Sequence, residues 1–556
     1  MNTDQDEYDV IVVGAGAGGM TAACVAAREG ARTLLLEKAN QVGGTTAISG
    51  GMVWAPGNPK FAPDQREADR DAARTYLGYT LPEWQDRTLT ETYLARAGEA
   101  IEYLEARTSV RFRPVAFYPD YYPDLPGAAM GGRVLEPQAF DARELGRSFA
   151  LLRPPLPEFT LFGGMMVDRA DIPHLRKATQ SLPSAWRVAR ILARYARDRM
   201  SFERGAHLVL GNALAARLLK SVLEAGGELL TSVTDIDLLR EGDRVVGVTI
   251  AGAKHIRARR AVVLATGGFS HDPELRARYL PQKTGPSSAA STSNTGDGLR
   301  LGLALGARMP EDHVNNAFWV PSSRFVREDG TPAVYPHTVT DRGKPGVIAV
   351  DGRGKRFVNE AQSYHEFVQA MFRADAIPAW LVCDRDAMWR YGLGAIRPFT
   401  RKLSPYLDGG YLKSAQSPTL LAQAIGIDAA GFEATIHRFN ADAREGVDRE
   451  FGKGGNAYHK YVGDAAHLPN PCLAPIESAP FYAVAVYPGD LGTSAGLVTN
   501  EHAQVLDGSG RVIAGLYACG NDMSSMMKGA YPGPGITLGP ALVFGYLAAR
   551  RAVAAE

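Results

Sequence analysis

Residues Tyr8 to Glu37, YDVIVVGAGAGGMTAACVAAREGARTLLLE, constrain this chain more than any other stretch. Asp9–Val13 is a short apolar run of the kind buried in a parallel sheet. Gly14, Gly16 and Gly19 follow it in G-x-G-x-x-G spacing. That spacing predicts strand, tight turn and helix. Gly14 serves the turn, Gly16 the close approach of backbone to a pyrophosphate, and Gly19 the packing of a helix from Gly18 to Arg28 on the sheet. The free N–H groups and macrodipole at the helix start favour phosphate there, with Gly18 in the first turn. A second apolar run, Thr33–Leu36, ends at Glu37, about 20 residues beyond the glycines, where a carboxylate accepts from a ribose 2′-OH. A dinucleotide with an unphosphorylated adenosine ribose is expected.

A chain of 556 residues exceeds one ordinary core, so two or more domains are expected. Lys+Arg 61 against Asp+Glu 60 leaves a net charge of +1, which removes any electrostatic case for nucleic acid. Cys24, Cys383, Cys472 and Cys519 form no CxxC pair and no Cys/His cluster at metal spacing, so no metal is expected and a reducing, cytoplasmic compartment is. The acidic start MNTDQDEYDV runs straight into the first strand without a signal peptide, and no uninterrupted apolar run reaches membrane-spanning length.

The loop Lys38–Gly51, KANQVGGTTAISGG, is dense in glycine and hydroxyls. Lys38, Gly44, Thr45, Thr46, Ser49, Gly50 and Gly51 are its candidates for contact with phosphate or ring oxygens. Residues 64–107 have helical periodicity, with Tyr93, Leu94, Ala97, Ile101 and Leu104 on one side. Arg111–Pro126 mixes tyrosine and phenylalanine with proline, as a rigid loop presenting rings to a cavity would. Residues 159–210 read as a helical, arginine-rich insertion. In its middle, Trp186–Met200 places Arg187, Arg190, Arg194 and Arg197 on one face; a solvated or subunit-facing helix and a weak peripheral membrane contact both stay open.

A helix over 213–225 and a strand over 228–233 follow, Val233 ending where backbone can meet adenine. Residues 244–250 and 257–264 read as a hairpin arm and a returning strand. That strand runs into Ala265-Thr266-Gly267-Gly268, a second place of close backbone approach. Ser293–Gly298 opens a helix over 299–305 in the manner of a phosphate-facing terminus, with Asn294 and Asp297 at its start. Residues 317–491 are richer in aromatics and proline and read as a separate substrate domain, before the chain returns to GLYACGN (515–521) and YPGPGITLGP (531–540).

The glycine fingerprint, GGTTAISGG, ATGG, SNTGDG, RFVNE (356–360), GLYACGN and YPGPG, in this order, resemble the flavoprotein superfamily of succinate dehydrogenase and fumarate reductase. Within it the chain most resembles the 3-ketosteroid Δ1-dehydrogenases. The resemblance implies an α/β fold: a Rossmann-like FAD-binding domain from residues 1–314 and 493–556, carrying the 159–210 insertion, and an inserted α+β catalytic domain over 315–492. It implies FAD rather than NAD, with Gly520, Asn521, Gly535, Thr537 and Leu538 joining the cofactor residues above. No histidine precedes His174, so the residue some relatives use to attach flavin is missing and non-covalent FAD is expected.

Fumarate-type chemistry needs cations for two carboxylates, yet no arginine stands between Arg511 and Arg550. The loop PDYYPD (119–124), the tyrosine after RFVNE and the YPGPG turn resemble the ketosteroid enzymes instead. A neutral, mostly apolar cyclic ketone is therefore the expected substrate, with a quinone-type or artificial electron acceptor. By resemblance Tyr364 takes the α-proton as phenolate, Tyr121 hydrogen-bonds to it, and Tyr531 O–H with the Gly535 N–H donates to the ketone oxygen while hydride passes to the flavin. One departure stands out: relatives carry proline before the catalytic tyrosine, and this chain has Ser363. Loss of that proline is expected to leave the approach of Tyr364 less fixed. A smaller cyclohexanone-type ketone, 4-dehydrogenation of a 3-oxo-5α-steroid, the reverse ene-reduction and a non-catalytic flavin redox sensor stay open as alternatives.

Overall fold

The structure is a computed structural model and describes residues 7–82 and 87–554. The acidic residues 1–6 and residues 83–86 of the expected helical stretch lie outside the described residues. Glu7–Val13 forms a strand, Ala17–Arg28 a helix, and Thr33–Leu36 a second strand parallel to the first. Their apolar runs are continuous rather than alternating because both faces of the sheet are covered: Val10, Ile11, Val12, Leu34, Leu35 and Leu36 have no exposed surface. The parallel sheet extends to Glu228–Leu230 on one side and to Lys254–Leu264 and Val512–Ala518 on the other. Gln504–Leu506 closes one edge antiparallel, and Arg244–Ile250 and Ile236–Glu241 join Lys254–Leu264 as an antiparallel meander, giving eight strands. The near end of the chain thus shares one sheet with a strand from its far end. Helix Leu538–Ala554 crosses helix Ala17–Arg28 backbone against backbone: a Cβ on Gly545 would lie 2.5 Å from the Gly18 carbonyl oxygen.

A six-stranded antiparallel sheet is built from strands between 317 and 493. Its spine is Phe481–Thr493, long enough to pair with Ala317–Val326 along one part and with Ala379–Cys383 and Leu412–Ala415 along another. Pro332–Pro336 and Val347–Val350 complete it. Helix Tyr364–Ala374 lies against Ala317–Val326, where His365 Nδ1 accepts the Trp319 N–H at 3.1 Å.

The periodic stretch after Asp64 forms two helices, Pro63–Thr80 and Thr88–Arg107. The helix expected over 213–225 starts at Leu210, and the one after SNTG at Asp297 rather than 299. The 159–210 insertion contains helix Leu182–Arg199, which buries Ser184, Ile191 and Asp198. Its arginine face is not uniformly solvated: Arg187 is ion-paired with Asp171 and burial lowers the pKa of half-buried Arg194. Leu182, Trp186 and the following Met200 are instead left 87%, 69% and 84% exposed. Among the described residues no helix is long and apolar enough to cross a membrane.

Candidate active site

One cavity of about 1670 Å³ runs from the carboxyl ends of the parallel strands to the second sheet. Ordinary ligand pockets hold roughly 300–1,000 Å³, so this one has room for a dinucleotide and a second sizeable ligand. Every residue assigned above to cofactor or ketone lines it except Gly19. Gly19 instead has the packing role expected of it: a Cβ there would lie 1.8 Å from the Gly14 carbonyl oxygen, so it sets how closely the helix approaches the turn.

At the dinucleotide end the backbone at Gly16 faces open space, with no atom within 4 Å of where a Cβ would sit. The Glu37 carboxylate accepts the Ala15 N–H at 2.8 Å with one oxygen and the Ala39 N–H at 2.9 Å with the other. Burial raises its pKa, while those two N–H groups and the charges of Arg153 and Lys38 pull it down. Each oxygen keeps a lone pair with which to accept a ribose hydroxyl. Lys38 is ion-paired with Asp297 at 2.7 Å. Thr45 Oγ1 accepts from the Ser291 N–H at 3.0 Å and from Asn294 Nδ2 at 3.1 Å, and Asn294 Nδ2 also donates to the Gly267 carbonyl at 3.0 Å. Thr46 Oγ1 accepts the Ala17 N–H at 3.0 Å and Ser49 Oγ donates to the Thr46 carbonyl at 2.8 Å. These hydroxyls therefore hold the loop in shape, and they leave backbone N–H groups and the open glycine to cradle phosphate. An open turn, a helix start and an acid at ribose distance fit a dinucleotide.

One residue of this end had no role in the sequence reading. Asp522, with no exposed surface, accepts the N–H groups of Thr266 and Gly268 and the Thr266 hydroxyl, tying the turn Gly520–Asp522 to the end of strand Lys254–Leu264. Burial pushes its pKa up to about 6 against the pull of those donors. Its signal was an acid directly after GLYACGN.

At the other end the hydroxyl of Tyr121 donates to that of Tyr364 at 2.9 Å. The Tyr531 ring stacks on Tyr121 at 5.8 Å and meets Tyr364 edge-on at 5.2 Å. Of the three remote segments that meet here, those of Tyr121 and Tyr531 are bonded together through backbone, and that of Tyr364 joins them through side chains. Asp120, fully buried, accepts from Trp54 Nε1 at 2.9 Å, Arg133 at 2.7 Å and the Ala129 N–H at 2.9 Å, which fixes the aromatic loop. The Tyr121 N–H and the Tyr76 hydroxyl both donate to the Pro532 carbonyl, at 3.0 and 2.6 Å. Gly535 accepts the Trp54 N–H at 3.2 Å with φ of +91°, and a Cβ there would lie 2.6 Å from the Met52 carbonyl, so only glycine fits.

Tyr364 is the first residue of its helix, N-capped by Ser363 Oγ, which accepts the Glu366 N–H at 3.2 Å. The loop before it is pinned: Asn359 Oδ1 accepts the Ala361 N–H at 2.9 Å, Arg342 donates to the carbonyls of Glu360 and Gln362, and Glu360 forms a buried double hydrogen bond with Arg356 at 2.8 Å. The expected looseness from the missing proline is corrected: caps and carbonyl bonds replace the ring as the constraint. Burial holds the Tyr364 pKa well above 10, with the charges of Tyr531 and Tyr118 adding and the bond from Tyr121 opposing. Tyr531 is pushed up to about 12, again by burial.

The cations on this part of the wall are already engaged. Arg169 donates to the Tyr461 hydroxyl at 2.8 Å, Lys344 to the Val462 and Gly463 carbonyls at 2.8 and 2.7 Å, and Arg397 to the Pro157 carbonyl at 2.8 Å. Leu161, Met166, Val167, Ile172, Val339 and Ile396 give the wall an apolar surface between them.

The family model for an FAD-binding domain matches residues 9–538. The chain is 38% identical over 553 residues to a 4-oxocyclohex-2-ene-1-carboxylate 5-dehydrogenase of Sinomonas cyclohexanicum, covering 98% of this chain and 93% of that one. It is 37% identical over 562 residues to a 3-oxosteroid 1-dehydrogenase of Mycolicibacterium smegmatis, covering 98% and 96%. Among solved structures it superposes with TM-score 0.90 and 38% identity on the 3-ketosteroid Δ1-dehydrogenase of Sterolibacterium denitrificans in complex with 1,4-androstadiene-3,17-dione, over 99% of this chain and 100% of that one. Near-complete coverage, the FAD-binding match and the shared fold converge: the chain belongs to the 3-ketosteroid Δ1-dehydrogenase-like, FAD-dependent oxidoreductases.

Proposed function

We propose that this protein desaturates a 3-oxosteroid between carbons 1 and 2, with residues 1–314 and 493–556 holding FAD and residues 315–492 closing over the ketone. The observation that carries the reading is the tyrosine cluster: three phenols from three distant segments meet on the wall of a cavity whose other end fits a dinucleotide. FAD, when bound, supplies the acceptor for hydride from the β-carbon. Tyr364, as phenolate, removes the proton from the α-carbon, and the hydrogen bond from Tyr121 stabilises that phenolate. The Tyr531 O–H and the Gly535 N–H donate to the ketone oxygen, where negative charge accumulates as the α-proton leaves. FAD is held without a covalent bond, since the first histidine, His174, is bonded to Ser184 and lies off the cavity wall.

The cavity's size and the apolar wall at its ketone end favour a multi-ring substrate. A single-ring oxo-carboxylate is the second reading, favoured by similarity to the Sinomonas enzyme, but it would have to compete for cations that protein carbonyls and Tyr461 already occupy. Anaerobic mixing with a panel from cyclohexanone and 4-oxocyclohexanecarboxylate to 4-androstene-3,17-dione decides between them. The steroid is expected to bleach the flavin absorbance with formation of the 1,4-diene. Bleaching by the carboxylate alone would move the assignment to the small ring, and bleaching by none would leave the redox-sensor reading.

The electron acceptor is proposed to be quinone-like, and the helix Leu182–Arg199, which contains most of the 186–200 stretch, to touch lipid weakly through Leu182, Trp186 and the following Met200, which are exposed beside arginines. Flotation with anionic vesicles should recover the protein at low salt, with Trp186→Ser reducing the floated fraction several-fold; equal flotation of the two would end that idea.

A further inference from the structure

Arg342 is a buried cation with an uncommon set of partners. It is 2% exposed, and its Nε donates to the His337 carbonyl at 2.7 Å, one terminal nitrogen to the Thr338 carbonyl at 2.6 Å, and the other to the carbonyls of Glu360 at 2.8 Å and Gln362 at 3.1 Å. All four acceptors are neutral. Among the described residues no carboxylate lies within ion-pair distance of the guanidinium. Its neighbour Asp341 spends its oxygens on His337 Nδ1 at 2.6 Å, the Gly394 N–H at 3.0 Å and the Arg342 N–H at 2.8 Å. A guanidinium buried without a contacting carboxylate is costly, so its charge is felt by whatever polarisable groups surround it. Those groups are Asp341, Tyr458, Tyr121 and Tyr364, each of which opposes the lowering of the arginine's pKa by burial.

We propose that Arg342 is the positioning residue of the Tyr364 base: its fork fixes the 360–362 loop that delivers Tyr364 to the ketone, and its charge, hydrogen-bonded to carbonyls and to no carboxylate, stabilises the Tyr364 phenolate. The inference rests on the reading of Tyr364 as the base. Two of the four carbonyls belong to the loop that ends at the helix start. The other two, at 337 and 338, anchor that loop to the end of strand Pro332–Pro336. The remaining titratable groups around Tyr364 supply no competing cation. Tyr118, Tyr121 and Tyr531 are buried phenols with raised pKa values, buried His365 is held down to about 3 and is neutral, and Glu366 is bonded to the Tyr122 hydroxyl at 2.7 Å. The uncharged tyrosine cluster thus feels the Arg342 charge, while the neighbouring Asp341 carboxylate is bonded to His337 and to the Gly394 N–H.

The test places 3-fluorotyrosine at position 364 of the FAD-loaded enzyme and follows its ¹⁹F resonance with pH, in the native background and with Arg342→Gln and Arg342→Lys. Arg342→Gln is expected to raise the midpoint by about one pH unit or more and to lower kcat about tenfold or more. Arg342→Lys keeps a charge and loses the fork, so its midpoint should stay near the native one while kcat still falls. An unmoved midpoint in folded Arg342→Gln overturns the proposal. If that variant does not fold, Arg342→Lys decides: native kcat, or a midpoint raised by a unit, overturns it. Full turnover by Tyr364→Phe would instead remove the base assignment and leave any midpoint shift standing, so the two failures are distinguishable.

Discussion

Tyr364 starts from a chemical disadvantage. A phenol has a pKa of about 10 in water, and burial among other phenols moves this one higher, so at neutral pH only a small fraction is the phenolate that the proposed proton removal requires. Because the base must be deprotonated, kcat/KM should climb close to tenfold per pH unit from about pH 7 upward and level off only as Tyr364 itself titrates. Tyr364→Phe should abolish that slope and cost about 10²–10⁴-fold in kcat, while Tyr531→Phe should cost about 10²–10³-fold and keep the slope. Both variants should retain FAD; a pH series of kcat/KM beside the flavin absorbance of the purified proteins checks each point. The tyrosines could be singled out in the sequence because each sits in a contiguous motif. Arg342 could not: its partners are four backbone carbonyls, which any residue supplies, so nothing in the letters at 337, 338, 360 or 362 marks the site. Asp120 and Asp522 sat inside or beside motifs, but an acid that binds only backbone and core partners looks the same in sequence as an acid on the surface.

Among the elements, the turn Gly520–Asp522 and the end of strand Lys254–Leu264 have their junction at a single carboxylate. Asp522→Ala would leave the Thr266 and Gly268 N–H groups unpaired in a buried place, at about 1–3 kcal/mol for each. The expected outcome is a lower Tm and less flavin released per chain on acid precipitation; native flavin content would show that the junction does not matter to the cofactor. The parallel strands Glu7–Val13 and Thr33–Leu36 were legible because burial on both faces writes itself as an unbroken apolar run. Ile236–Glu241 was not: IDLLRE is half exposed, has no clean alternation, and is a strand because Arg244–Ile250 offers it a ladder. Helix starts were misplaced by two or three residues for a related reason. Asp297 is stabilised in the first turn by Lys38 from a distant loop, a contact that local pattern does not encode.

In the whole molecule, the site belongs to no single segment. The cavity end proposed for the dinucleotide is lined from within residues 14 to 51, 233 to 297 and 520 to 538, and the three phenols come from 121, 364 and 531. That dispersion is why the order of motifs carried more information than any one of them. The fingerprint at Gly14–Gly19 implied a dinucleotide, and FAD followed only when the later motifs were read with it. Backbone bonds such as Tyr121 N–H to Pro532 make the assembly mutual, since the aromatic loop and the YPGPG turn each position the other.

The first sheet's composition also bears on how the protein is made. Val262, Val263 and Leu264 pair with Leu516, Tyr517 and Ala518, so the parallel sheet keeps an uncovered apolar edge at that point while the ribosome synthesises the whole of the second sheet. An unpaired edge in a nascent chain is a template for pairing with the wrong strand. The interval between those two strands is therefore when this edge is open to mispairing, and flavin capture belongs after Val512–Ala518 and the helix behind it have left the exit tunnel and closed the edge.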